Sequence, residues 1–137
     1  MESNMDRVSL GFIIAGLYNS GIGLFSKGFS DNLGQVDSLF SGNGCVVIQL
    51  WGFAFFALAK HYSVVPALVL VFCIEKLFFA QHWLFWMSEH MKSLSSMIEA
   101  DPLTGLFYSI YGIGDIFYFF FFGWVAWQWR QNLYTRK

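Results

Sequence analysis

Apolar residues in this chain run in long unbroken blocks, separated by short polar stretches, with no alternation of period two. Four blocks approach the roughly 20 residues a helix needs to cross a bilayer core of about 30 Å. They cover residues 8–25, 44–62, 64–87 and 103–129. The second is apolar only to Ala59, and reaches full length if Lys60, His61 and Tyr62 lay their stems along the helix and hold their polar ends in the headgroups. Ser63 is placed to cap the third block, whose Pro66 is tolerated in a first turn. Asp101 and Pro102 put a cap and a first-turn proline at the start of the fourth. Only helices and closed β-barrels satisfy their backbone in lipid, and continuous blocks fit helices. The pattern predicts an all-α membrane protein, a single domain over residues 1–137 built as a four-transmembrane-helix antiparallel bundle.

The loops between the first two and the last two blocks share a spacing. Leu33, Val36, Leu39 and Phe40 lie at i, i+3, i+6 and i+7, and so do Met91, Leu94, Met97 and Ile98. That spacing predicts a short amphipathic helix in each loop, lying on the outer surface. The plainer alternative is that each loop merely frays from the adjoining span.

Composition agrees with the pattern. The chain is 56% hydrophobic, 21% aromatic and 12% charged, whereas soluble domains carry about 25% charged residues. Net charge is −1 and the basic residues form no block, which excludes nucleic acid as a partner class. The start, MESNMDRVSLGF, sets Glu2 and Asp6 against a lone Arg7 and is followed by no small-residue cleavage motif. The first block is therefore expected to stay in the mature protein. Cys45 and Cys73 fall at different depths without zinc or CxxC spacing, so two buried thiols are expected.

Charge then orients the spans. Arg7, Lys60, Arg130, Arg136 and Lys137 fall on one side. Lys27 and Lys92 fall on the other, among Asp31, Asp37, Glu89, Glu99 and Asp101. The basic excess places both termini in the cytoplasm, and a bacterial inner membrane is the expected location. Trp124, Trp127 and Trp129 would form an inner aromatic belt, Trp83 and Trp86 an outer one.

The candidate chemistry lies inside the spans. Glu75 and Asp115 each sit twelve residues from the outer end of their span, about 18 Å deep at 1.5 Å per residue. With Lys76 they can share one layer if the last two helices pack antiparallel. An isolated charge at the helix centre costs about 2.5–3.5 kcal/mol on insertion scales, so pairing is expected. Adjacent helical residues point about 100° apart, which favours Lys76–Asp115 over Lys76–Glu75. One carboxyl is left over, expected to be protonated or partnered by His82 or a tyrosine.

Nearer the outside, Asn19, Gln49, His82 and Tyr108 offer one polar group per helix, about 8–9 Å deep. Tyr108, Tyr111 and Asp115 belong to one stripe on the fourth helix. The segment FYFFFFGWVAW below Asp115 is apolar all round, so the polar interior is expected to open outward and close inward. Gly11, Ala15, Asn19 and Gly23 make a small-residue line suited to close helix packing. Gly112 and Gly114 leave room for a backbone irregularity beside Asp115.

Glu75, Lys76, Asp115, His82, Asn19, Gln49, Tyr108 and Tyr111 are thus the candidate ligand- or proton-binding residues. The competing reading makes the three charges an ion-pair cluster that only sets helix register. No metal is expected, since Glu75, His82, Glu89 and His90 are strung along one helix. No nucleophile motif, phosphate loop or dinucleotide fingerprint occurs, so no cofactor is expected and catalysis has little support. Three roles remain open: a binding or transport pocket, proton-linked or not; an accessory subunit of a larger membrane complex; or a membrane-embedded enzyme acting on a lipid or quinone. The partners expected are membrane lipid, a small hydrophobic or amphipathic ligand, and further copies or subunits.

Overall fold

The structure, a computed structural model, describes residues 6–135, with side-chain surroundings to residue 132. Glu2 of the leader reading and Arg136 and Lys137 of the orientation reading lie outside the described residues. The described residues form helices and no strand: α1 (Arg7–Ser20), α2 (Ile22–Phe25), α3 (Gly42–Leu58), α4 (Pro66–His90), α5 (Leu94–Ala100) and α6 (Pro102–Thr135), with single 3₁₀ turns at Ser38–Phe40, Tyr62–Val64 and Met91–Ser93.

Local chemistry sets the ends. Asp6 caps α1 by accepting the Ser9 N–H at 2.7 Å, and Ser41 caps α3 through the Gly44 N–H at 3.3 Å. Asp101 accepts from the Thr104 N–H and hydroxyl at 3.4 and 2.8 Å as Pro102 opens α6. Ser63 does not cap α4. It falls in a 3₁₀ turn, and the helix begins at Pro66 after an uncapped Val65. The same turn shortens the second block: α3 ends at Leu58, and Lys60–Tyr62 leave the helix.

Three helical stretches are long and apolar enough to cross a membrane, Arg7–Phe25, Pro66–Ala100 and Pro102–Asn132. Helix α3 is apolar but has 17 residues. Large apolar side chains such as Leu24, Phe53, Ile74, Phe85 and Phe117 ring the outside, as lipid-facing surfaces require.

The helices pair as two hairpins, α1 with α3 and α4 with α6, and α1 meets α6 through large side chains, with Phe121 against Gly11 and Tyr18 against Gly114. Aromatic rings join the hairpins. Phe55 meets Phe72 at 4.8 Å and Phe122 at 5.1 Å, and Phe12 meets Phe122 at 5.1 Å. Helices α4 and α6 approach closely at Gly112, where a Cβ would stand 2.0 Å from the Trp83 ring. Trp83 and Trp86 are turned into this core rather than into an interfacial belt; the Trp83 indole donates to the Tyr108 carbonyl at 2.8 Å. Helix α6 runs unbroken through Gly112 and Gly114, so no irregularity exposes Asp115. Cys45 and Cys73 are free and buried, each donating to a carbonyl at 3.3 Å.

The connection between α2 and α3 is not a surface helix. Lys27, Gly28 and Phe29 take positive φ and turn the chain back. Leu33 and Phe40 are then fully buried over the end of the bundle. Polar ties hold this cover in place. Tyr108 donates to the Leu33 carbonyl at 2.8 Å, Asn32 to Thr104 at 3.0 Å, and His82 pairs with Asp37 at 2.6 Å. Lys27 reaches Asp101 at 2.7 Å. The other connection holds the seven-residue α5, with Leu94 and Met97 packed inward and Met91 and Ile98 exposed.

Candidate functional site

A lysine cannot sit in an apolar interior unless its three protons find acceptors, and Lys76 draws on every long helix. It is 1% exposed. Its Nζ lies 2.7 Å from Asn19 Oδ1 on α1 and 2.9 Å from Asp115 Oδ1 on α6. The rings of Tyr18 on α1 and Phe55 on α3 face it at 5.2 Å each, within cation–π reach. Asn19 is fixed in turn by donating to the Ile48 carbonyl of α3 at 3.1 Å. Tyr18 donates to the Tyr111 carbonyl of α6, tying α1 to α6 beside the ion pair.

Glu75 stands differently. It is 8% exposed, and its Oε2 is 3.8 Å from Lys76 Nζ, beyond hydrogen-bond reach. Neither carboxyl oxygen has a hydrogen-bond partner among the described residues, and the buried Tyr111 hydroxyl has none either. Buried polar groups are normally satisfied, so each such group calls for an explanation.

Both line a cavity of about 270 Å³. Asn19, Glu75, Lys76 and Asp115, with the tyrosines Tyr18 and Tyr111, supply its polar groups, and the rest is apolar, in good part aromatic. Towards the loops the cavity meets Phe40, which is buried against Phe107, Tyr108 and Tyr111 at 5.0, 5.8 and 4.9 Å. Its exposed wall residues are Leu17 on α1, at 59%, and Ile110 on α6, at 41%. Leu17 and Ile110 therefore mark where the cavity reaches the lateral surface between α1 and α6, beside the Tyr18–Tyr111 tie. The expected outward opening does not exist, because the α2–α3 connection covers that end.

Of the residues singled out from sequence, Asn19, Glu75, Lys76, Tyr111 and Asp115 meet at the cavity. The other three do not. Gln49 donates to Ser20 at 2.9 Å, His82 pairs with Asp37, and Tyr108 binds the Leu33 carbonyl. The expected ring of four polar groups dissolves into separate local ties, and neither His82 nor a tyrosine satisfies Glu75. Tyr18, Phe40 and Phe55 were not anticipated. Tyr18 is a neighbour of Asn19 on α1; Phe40 and Phe55 read as ordinary apolar residues.

Outside the spans, hydrogen bonds from Lys27 and Thr104 hold the Asp101 carboxyl down near 2. Burial, reinforced by the Asp6 carboxylate at 2.7 Å, pushes the Tyr62 phenol up to about 12. Among the described residues no three His, Cys, Asp or Glu side chains converge in a way that could hold a metal. Compared with known protein families, characterised proteins and solved structures, the chain matches none.

Proposed function

We propose that this is a four-span membrane protein whose cavity takes up a small amphipathic molecule from the bilayer. Helix α3 serves as the fourth span: 17 residues reach about 26 Å, and so small a mismatch with a 30 Å core is cheap. Arg7, Lys60 and Arg130 then lie at the end facing the cytoplasm, opposite the acidic loops. One observation carries the functional reading. Glu75 is a buried carboxyl that the protein leaves without a hydrogen bond, in the wall of an apolar cavity that faces lipid. Intramembrane ionisable groups are costly and concentrate where ligands, ions or protons pass.

The accessory-subunit reading keeps one observation of its own, the wedging of Lys76 between two carboxylates, which suits a cluster built for helix register. That reading explains Lys76 and Asp115 but leaves Glu75 without a purpose. Acid–base catalysis on a lipid or quinone would use the same cavity and has no separate support.

Mass spectrometry of the protein purified with its native lipids separates these readings. A bound small molecule is expected in the wild type and lost on filling the mouth by Ile110→Trp. If nothing is bound to either form, and Asp115→Asn alters only stability, the cavity has no binding role.

A further inference from the structure

The chemistry of the cavity wall narrows the ligand class. At its polar end two carboxyls, Glu75 and Asp115, face one lysine, and Lys76 already commits hydrogen bonds to Asn19 and Asp115. The remaining unpartnered groups are Glu75 and the Tyr111 hydroxyl, both more than nine-tenths buried. Around them stand the rings of Tyr18, Phe25, Phe40, Phe79, Phe107 and Tyr111. An acceptor set among aromatic faces is the arrangement that recognises an organic ammonium, because ring quadrupoles attract a cation that water no longer solvates. An anionic headgroup would meet two carboxyls. A neutral alcohol could donate one hydrogen bond but would gain nothing from the rings.

We infer that the cavity binds the ammonium headgroup of a lipophilic amine, which enters from the bilayer between Leu17 and Ile110 and docks against Glu75. The size fits that division. A volume of about 270 Å³ lies just below the usual range of about 300–1,000 Å³ for whole small-molecule ligands. A headgroup and its first carbons are enclosed, and the tail stays in lipid through the lateral mouth. The inference rests on the proposed binding role of the cavity and adds the charge of the ligand and its route.

Three probes with the same ten-carbon chain test it: decyltrimethylammonium, 1-decanol and decanoate. Equilibrium binding is measured on protein in discs of choline-free lipid, with empty discs subtracted. The wild type is expected to bind decyltrimethylammonium saturably. Glu75→Gln should weaken that binding about tenfold or more, equivalent to 1.4 kcal/mol. Tyr111→Phe should weaken it by a smaller factor, and Leu17→Trp should abolish it by closing the mouth. Each variant is first shown to unfold at the wild-type midpoint. If decanol or decanoate binds as well as the ammonium and Leu17→Trp blocks that binding, the ammonium assignment fails while the cavity reading survives. If Leu17→Trp changes the binding of none of the three, the cavity reading fails with it.

Discussion

Glu75 and Lys76 are neighbours in sequence with opposite circumstances. Lys76 donates to two acceptors, Asn19 and Asp115, whereas Glu75 has no donor within hydrogen-bond distance. Breaking a buried ion pair by removing one partner costs about 3–5 kcal/mol, because a charge is left uncompensated. Asp115→Leu should therefore destabilise the protein by about that amount. Glu75→Gln, which removes no hydrogen bond, should cost less than about 1 kcal/mol. Reversible unfolding in bicelles measures both, and equal costs would contradict the assignment of roles. The Lys76–Asp115 pair was readable in the sequence, since residue depth and the 100° step along α4 both favour it. Residue counting puts Asn19 one layer away, because it locates Cα atoms and a lysine side chain reaches about as far as one helical turn. Tyr18 and Phe55 were not readable, since nothing in an apolar helix marks which ring will face a cation.

Among the elements, the helices followed directly from the continuous apolar blocks, and the caps of Asp6, Ser41 and Asp101 set three of their ends. The α2–α3 connection did not follow. Its apolar residues recur at helical spacing, yet three consecutive positive-φ residues turn the chain back and Leu33 and Phe40 sink into the bundle. Local periodicity lost to tertiary burial. The Lys27–Asp101 bridge ties this cover to the start of α6. Asp101 titrates near 2 against an ordinary 3.8, so its contribution to stability is fully present above about pH 4 and is lost as pH falls through the range from 3.8 towards 2. Wild type and Asp101→Asn should thus differ in unfolding midpoint at pH 6 and converge near pH 2. A difference that persists undiminished at pH 2 would assign the effect to something other than the carboxylate. Where α4 meets α6, Gly112→Ala forces a Cβ into the Trp83 ring and should cost about 1–3 kcal/mol by overpacking, read from the same unfolding curves.

On the scale of the molecule, two helical hairpins are joined by aromatic packing, the Lys76–Asn19 hydrogen bond and the Tyr18–Tyr111 tie, and they enclose a cavity that reaches the surface between Leu17 and Ile110. The hairpin pairing is what short connections favour. The cavity has no signature along the chain. It is bounded on the loop side by Phe40 and beside the ion pair by the Tyr18–Tyr111 contact, both long-range features. The central claim, that a membrane amphiphile occupies this cavity with its head at Glu75, is tested most directly by a density map of the protein in lipid discs, with a rigid antibody fragment bound to give it size. The account predicts elongated density passing between Leu17 and Ile110 and ending within hydrogen-bond distance of Glu75. Helices α1 and α6 closed upon each other, with Glu75 hydrogen-bonded to the protein itself, would contradict it.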